Sequence, residues 1–296
     1  MKHTRYRIIH LSRCKGVTRS ILRKFLRKFP TLEPLYQFSP ESISQTFSIP
    51  PQKASLIYRD LHNRQLIERI KKEIVTFPII TIVDESYPPM LNTIKDAPLV
   101  LYACGDLSLL SEQPKISVIG TRNPSKDAWA KTEFVVKPLV QEGWVIVSGL
   151  AKGIDSFAHE IALQHHGKTI AVLGSGFNHI YPKKNSKLFF EIANRGLVLS
   201  EYAPNIPPAK YHFPERNRII SGLSFGTLVI EAMEKSGTLI TVEHALDQGR
   251  EVFAVPDSPA VPQSKGCHQM IQDGAKLIQH AKDIVIEWQM IKHHYK

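Results

Sequence analysis

The chain has 296 residues, 43% hydrophobic and 22% charged, enough for about two globular domains at ~150 residues each, and the balance excludes a disordered, collagen-like or disulfide-scaffold protein. Its three scattered cysteines, Cys14, Cys104 and Cys267, fit a reducing cytosol, no run reaches the ~18 apolar residues of a membrane helix, and the N-terminus lacks the apolar core of a secretory signal. The 38 basic side chains exceed the 27 acidic ones by 11, and the whole excess lies in residues 1–75, where 16 Lys+Arg meet 5 Asp+Glu.

Residues 5–75 read as helical. Apolar positions 21, 22, 25, 26 and 29 recur at helical spacing, with basic residues mostly on the other face. Pro30 stops that helix, Ser39-Pro40-Glu41 opens a short one, and Pro50-Pro51 opens a longer one through Arg69. Lys15-Gly16-Val17-Thr18 sits between two helical runs, as in a helix-hairpin-helix turn. Residues 1–30 hold ten cations and no acid. Such a block is either a solvated basic face or a contact for a polyanion or an anionic membrane. Residues 76–114 mix short apolar runs with prolines and read as a connector carrying one or two strands.

From Lys115 the pattern changes to buried-strand runs, 115–120, 144–149, 169–174, 197–200, 226–230 and 251–256. Helical stretches at 126–142, 153–166, 185–195 and 238–248 fall between them. Continuously apolar strands alternating with helices predict a parallel sheet covered on both faces, a doubly wound Rossmann-like domain. Ligands then gather at the carboxyl ends of the strands. Those ends read Gly120-Thr121-Arg122, Ser148-Gly149-Leu150-Ala151-Lys152-Gly153, Gly174-Ser175-Gly176 and Ser200-Glu201-Tyr202. Glycines let backbone N–H groups approach an anion, and helix N-termini favour negative charge, so the four ends together point to phosphate.

Several familiar motifs fail. A dinucleotide fingerprint from Gly174 needs glycine where His179 stands, and a P-loop ending at Gly167-Lys168-Thr169 needs glycine at Ala162. Gly222-Leu223-Ser224-Phe225-Gly226 matches the nucleophile-elbow string, but with helix before and strand after, the reverse of what exposes the serine. The thirteen histidines show no metal-ligand spacing, so no metal and no cofactor are expected. Residues 210–222, with Tyr211, His212 and Phe213 before Arg216, Asn217 and Arg218, pair rings with arginine as single strands require. The same rings could equally pack the start of a helix.

The chain resembles the bacterial DNA-processing protein A family (DprA, also called Smf). The resemblance is carried by Ile119-Gly120-Thr121-Arg122, SGLAKGID (148–155), AVLGSGFNHIYPKKN (171–185), LSEY (199–202), FPERNRIISGLS (213–224), SGTLITVEHALDQGREVFAVP (236–256) and GCHQMIQDGAKLI (266–278), in family order. It implies an extended Rossmann-like parallel-sheet domain at 115–296, a connector at 76–114 and a small, basic, sterile-alpha-motif-like helical domain at 1–75. It also implies a cytoplasmic bacterial homodimer that is not an enzyme. Such a protein binds and protects single-stranded DNA and loads a RecA-type recombinase during natural transformation, with a single-strand-binding protein and other competence proteins as further partners. The winged-helix-like C-terminal module of many members has no counterpart before the chain ends, so none is expected.

Residue by residue, the resemblance places DNA contacts on Arg122, Lys152, Lys183, Lys184, Arg216, Asn217 and Arg218, with Gly120, Thr121, Ser148, Gly149, Gly174, Ser175 and Phe213 around them. It assigns part of a dimer interface to the apolar positions Met270, Ile271, Leu277 and Ile278 of the last helical region, which could otherwise be core. The rival is a nucleotide phosphoribohydrolase-like enzyme, suggested by Gly226-Thr227 with Glu231 close behind. Here Ser224-Phe225 stands where paired glycines belong, and Glu231 comes late for a placed acid or base.

Overall fold

The structure is a computed structural model and describes residues 2–295. The chain forms two compact units, Met1–Tyr87 with Pro98–Tyr102, and Pro88–Ala97 with Ala103–Lys296. The segment expected as a connector is thus shared between both.

The first unit contains helices α1 (Lys2–Arg13), α2 (Arg19–Lys28), α3 (Pro40–Phe47), α4 (Pro51–Leu61) and α5 (Arg64–Thr76). Thr18 and Ser39 cap α2 and α3 by accepting from the Ile21 and Ser42 N–H groups. The long helix expected through Arg69 is instead two helices. Asn63 breaks it, because its side chain accepts from the Gln65 and Leu66 N–H groups and so starts α5. The core takes Ile8, Ile9, Leu22, Phe25, Leu35, Ile43 and Ile57, with Phe25 edge-on to Phe47 at 4.6 Å. Strand β1 (Ile79–Thr81) pairs antiparallel with the start of β2 (Val100–Gly105), and the short helix α6 (Pro89–Asn92) lies between them in sequence.

The second unit alternates strand and helix. Its elements are β3 (Lys115–Ile119), α7 (Ala128–Gln141), β4 (Val145–Ser148), α8 (Ile154–Gln164), β5 (Lys168–Leu173), α9 (Ser186–Arg195) and β6 (Leu197–Ser200). They continue through α10 (His212–Gly222), β7 (Gly226–Val229), α11 (Thr238–Asp247), β8 (Glu251–Ala254), α12 (Lys265–Gln272), β9 (Lys276–Leu277) and α13 (Ala281–Ile291). The strands run β6-β5-β4-β3-β7-β8-β9, all parallel. The order reverses between β3 and β7, which is where doubly wound sheets open a crevice. Ile116, Val118 and Ile146 of the sheet pack with Val135 and Leu139 of α7, Ile161 of α8 and Ile284 of α13, all at most 1% exposed. The four apolar C-terminal positions do not share a helix. Met270 and Ile271 lie on α12, Leu277 on β9, and Ile278 just beyond it. Met270 and Ile278 are buried within the protomer, which leaves Leu277, 45% exposed, as the most accessible.

Candidate nucleic-acid interface

Loops after β3, β4 and β5 and the start of α10 converge at one end of the sheet. The loop after β3 folds against α8: the Ile154 N–H donates to the Thr121 carbonyl at 3.3 Å. Gly153 begins α8 at φ +85°, and a Cβ there would overlap the Thr121 carbonyl oxygen. The 150–152 loop is clamped by Asn185, whose amide donates to the Leu150 carbonyl and the Ser156 hydroxyl, both at 2.9 Å. That clamp ties Lys183 and Lys184 to the loop that carries Lys152.

Arg122, Lys152, Lys183 and Lys184 are exposed. None forms an ion pair among the described residues, and the Lys152 ammonium donates to the Asn123 side chain at 3.4 Å. The Arg122 guanidinium lies 5.7 Å from the centre of the Phe213 ring, and Phe213 lies 5.4 Å from Tyr181. Tyr181 is 50% exposed and Tyr211 65%. Gly174 makes room for this row, since a Cβ would sit 2.9 Å from Phe213 Cδ1. Cations beside partly exposed rings can hold phosphates and stack unpaired bases at once.

Other predicted contacts are structural. Arg216 and Arg218 are each only 4% exposed. Arg216 donates to the Gly149 and Val172 carbonyls and stands in the field of the buried Asp155. Burial pulls its guanidinium down to about 10, against the opposing pull of Asp155, so it stays charged at neutral pH. Burial in turn pushes the Asp155 carboxyl up, with Arg216 the largest opposing influence. A side chain at Gly149 would collide with that guanidinium. Arg218 is ion-paired with Glu201 and with Asp96, 3.5 Å away. Asn217 is half-buried and accepts from Arg216 Nε at 3.2 Å. Ser148 donates to the Val118 carbonyl at 2.6 Å, and Ser175 to that of His179 at 2.8 Å. Buried Thr121 accepts from the Asn123 N–H. Gly120 lets its strand end lie against Ile154 and the Glu231 carbonyl. These groups shape the loops from within: Arg216, Arg218, Ser148 and Ser175, expected from the sequence at the DNA, are buried and bonded to the protein itself.

Glu231 stands at the strand-order reversal, just past β7. Glu231, 1% exposed, accepts from the Ser125 N–H at 2.9 Å, from the Ser125 hydroxyl, and from the Lys131 ammonium at 2.8 Å. Lys131 also pairs with Asp257. With its carboxylate engaged on three sides, Glu231 is a tether for the Arg122 loop, whose Thr121 N–H donates to the Glu231 carbonyl at 2.8 Å. Ser224 of the elbow-like string is fully buried between α10 and β7. Among the described residues no group of three or more His, Cys, Asp or Glu side chains could hold a metal ion, and no helix is long and apolar enough to cross a membrane.

Sequence reasoning did not single out Tyr181, Asn185, Asp155 or Asn123. Tyr181 and Asn185 flank the Lys183-Lys184 pair, so a ring and an amide beside two lysines were the available signal. Nothing local marks Asp155 as the companion of Arg216.

The sequence profile of the DNA recombination-mediator protein A family matches residues 78–289. The chain belongs to this family. Within it, the DNA processing protein DprA of Streptococcus pneumoniae is 50% identical over 220 residues, covering 74% of this chain and 77% of that protein. The Bacillus subtilis DprA is 49% identical over 208 residues, 70% of each chain. The X-ray structure of the S. pneumoniae protein superposes with a TM-score of 0.86 at 42% identity over 97% of this chain and 99% of that one. A Helicobacter pylori DprA structure, described for its single-stranded DNA binding mode, gives a TM-score of 0.65 at 32% identity over 72% of this chain and 97% of that one.

Proposed function

We propose that this recombination-mediator family member binds single-stranded DNA on the strand-end face of its second unit and passes it, as a homodimer, to a RecA-type recombinase. The observation that carries the reading is the row Arg122–Phe213–Tyr181 beside Lys152, Lys183 and Lys184. The exposed cations meet the phosphates, which gives affinity without sequence preference. Tyr181 and Phe213 stack bases, at ~1–3 kcal/mol per base. The H. pylori relative's single-strand binding supports the ligand. Recombinase hand-off, protection of incoming strands during transformation, and partnership with a single-strand-binding protein follow from the family resemblance.

The test is fluorescence anisotropy of labelled oligo-dT of ~20 nucleotides, longer than a ~4–16-nucleotide site. Wild type, Arg122→Ala and Lys183→Ala are titrated across a salt series. Each substitution is expected to weaken binding and to lower the log-affinity against log-salt slope by ~0.7, one single-strand phosphate contact. Equal binding by all three sinks the strand-end site. Recombinase filament assembly on strands coated with single-strand-binding protein then tests the hand-off.

A further inference from the structure

The first unit carries a second cationic surface that the strand-end site does not use. Helix α2 turns Ile21, Leu22 and Phe25 into the unit's core. Its opposite side presents Lys24, Arg27 and Lys28, all exposed and, among the described residues, without an ion pair. Spacings of three and four residues put them on one face, where like charges repel. Together with Thr46, Phe47 and Ser48 at the end of α3 they line an open groove of about 440 Å³. The Lys28 ammonium lies 6.0 Å from the centre of the Phe47 ring. Arg27 and Lys28 stand in the last turn of α2, where its dipole favours cations, but that accounts neither for Lys24 nor for the want of any acid in residues 1–30.

A second cluster stands at the other end of the same helix. Gly16 turns the chain at φ +88°, close against the Lys53 side chain, and Lys15 is exposed beside it. Neither ammonium forms an ion pair among the described residues, and the Lys15 backbone N–H donates to the Asp60 carboxylate at 2.8 Å. Along α2, Lys24 lies about 8 Å and Lys28 about 14 Å from the start of the helix, next to which this second cluster stands. Those spans equal about two to four phosphates along one DNA strand at ~3.4 Å per charge, or about four to eight charges of a duplex at ~1.7 Å.

We propose that this α2 face is a separate site for the phosphate backbone of duplex DNA. The groove's one ring, Phe47, is only 6% exposed and forms its floor, so bases find nothing to stack on. A phosphate-only surface gains most from the polymer of highest charge density, which is the duplex. A membrane surface fits less well, because an interfacial helix needs a free apolar face and that of α2 is buried. The inference deepens the DNA-binding reading and rests on it only for the choice of DNA as ligand.

The experiment uses the full chain, a labelled ~20-bp duplex, oligo-dT of ~20 nucleotides (both longer than a ~4–16-nucleotide site) and phosphatidylserine vesicles. The variants are Lys24→Gln/Arg27→Gln/Lys28→Gln, Lys15→Gln/Lys53→Gln, the charge-keeping Lys24→Arg/Lys28→Arg, and Arg122→Ala/Lys183→Ala. The triple variant should lower the duplex salt slope by about 2.7, so that wild type loses about 40-fold more affinity than the variant between 50 and 200 mM salt. Lys15→Gln/Lys53→Gln should lower it in the same direction, the arginine variant should bind as wild type, and Arg122→Ala/Lys183→Ala should keep duplex binding while losing oligo-dT. Unchanged duplex binding in both glutamine variants overturns the proposal. So does vesicle binding that the triple variant loses while duplex binding stays. If wild type binds no oligo-dT yet its duplex binding needs α2, the strand-end reading fails and this one stands.

Discussion

Two arginines in this chain look alike as candidate DNA contacts, and the structure separates them. Arg122→Ala removes an exposed guanidinium that lies over the Phe213 ring. A cation–π contact of this kind is worth about 0.5–1 kcal/mol. Arg216→Ala instead leaves the carbonyls of Gly149 and Val172 without their donor and the 7%-exposed Asp155 without its cation. Leaving those two buried carbonyls unsatisfied costs about 1–3 kcal/mol each, about 2–6 kcal/mol together. At roughly 2–4 °C per kcal/mol for a domain of this size, Arg216→Ala should melt about 4–24 °C below wild type. Arg122→Ala should melt within about 4 °C of wild type on the same scale. Calorimetry with parallel oligo-dT titrations separates the effects: Arg122→Ala loses binding and keeps its fold, whereas Arg216→Ala loses stability first. Asp155→Asn combined with Arg216→Ala should recover part of the loss, because the two sites are coupled. An Arg216→Ala protein that melts like wild type yet no longer binds oligo-dT would refute the reasoning and put that guanidinium on the DNA.

Gly174→Ala places a methyl 2.9 Å from Phe213 Cδ1. The ring must move, at about 1–3 kcal/mol of overpacking, and oligo-dT binding should weaken; unchanged affinity would mean that the ring's position does not matter. Glu231→Gln takes the charge from the Ser125–Lys131 tether and should cost about 1–3 kcal/mol while weakening DNA binding through the Arg122 loop; an unaltered Kd on a destabilised protein would reject that coupling. His159 is fully buried, and burial drives its pKa down to about 3. The unfolded chain therefore takes up the proton first, and stability falls as pH drops below ~6.5. Urea melts should show a His159 share of about 2 kcal/mol lost between pH 8 and pH 5, absent in His159→Leu; equal losses in both proteins would assign the acid sensitivity elsewhere.

The sheet was legible because strands buried on both faces are apolar throughout, and β3 to β8 lie where those runs predict. Helices with strong local signals were equally plain, as Ser39-Pro40 shows at the start of α3. The break at Asn63 was hidden, because asparagine can sit within a helix or cap one, and the choice rests on two backbone hydrogen bonds. Strand β9, two residues long, carries no periodicity at all.

For the site, sequence alone determined which strand ends carry glycines and cations, and that the net positive charge belongs to the N-terminal helices. Those are properties of composition and order along the chain. Tertiary structure decided which cations remain available. Arg216 and Arg218 point inward because α10 packs against the sheet and the loops around it, where carbonyls and the carboxylates of Asp155 and Glu201 await them. Arg122, Lys152, Lys183 and Lys184 stay outside because the loops that carry them are clamped by Asn185 and Glu231. An arginine reads the same in either place. Only the groups brought to it across the fold, from 44 to 67 residues away for Arg216, settle whether its charge holds the protein or a ligand.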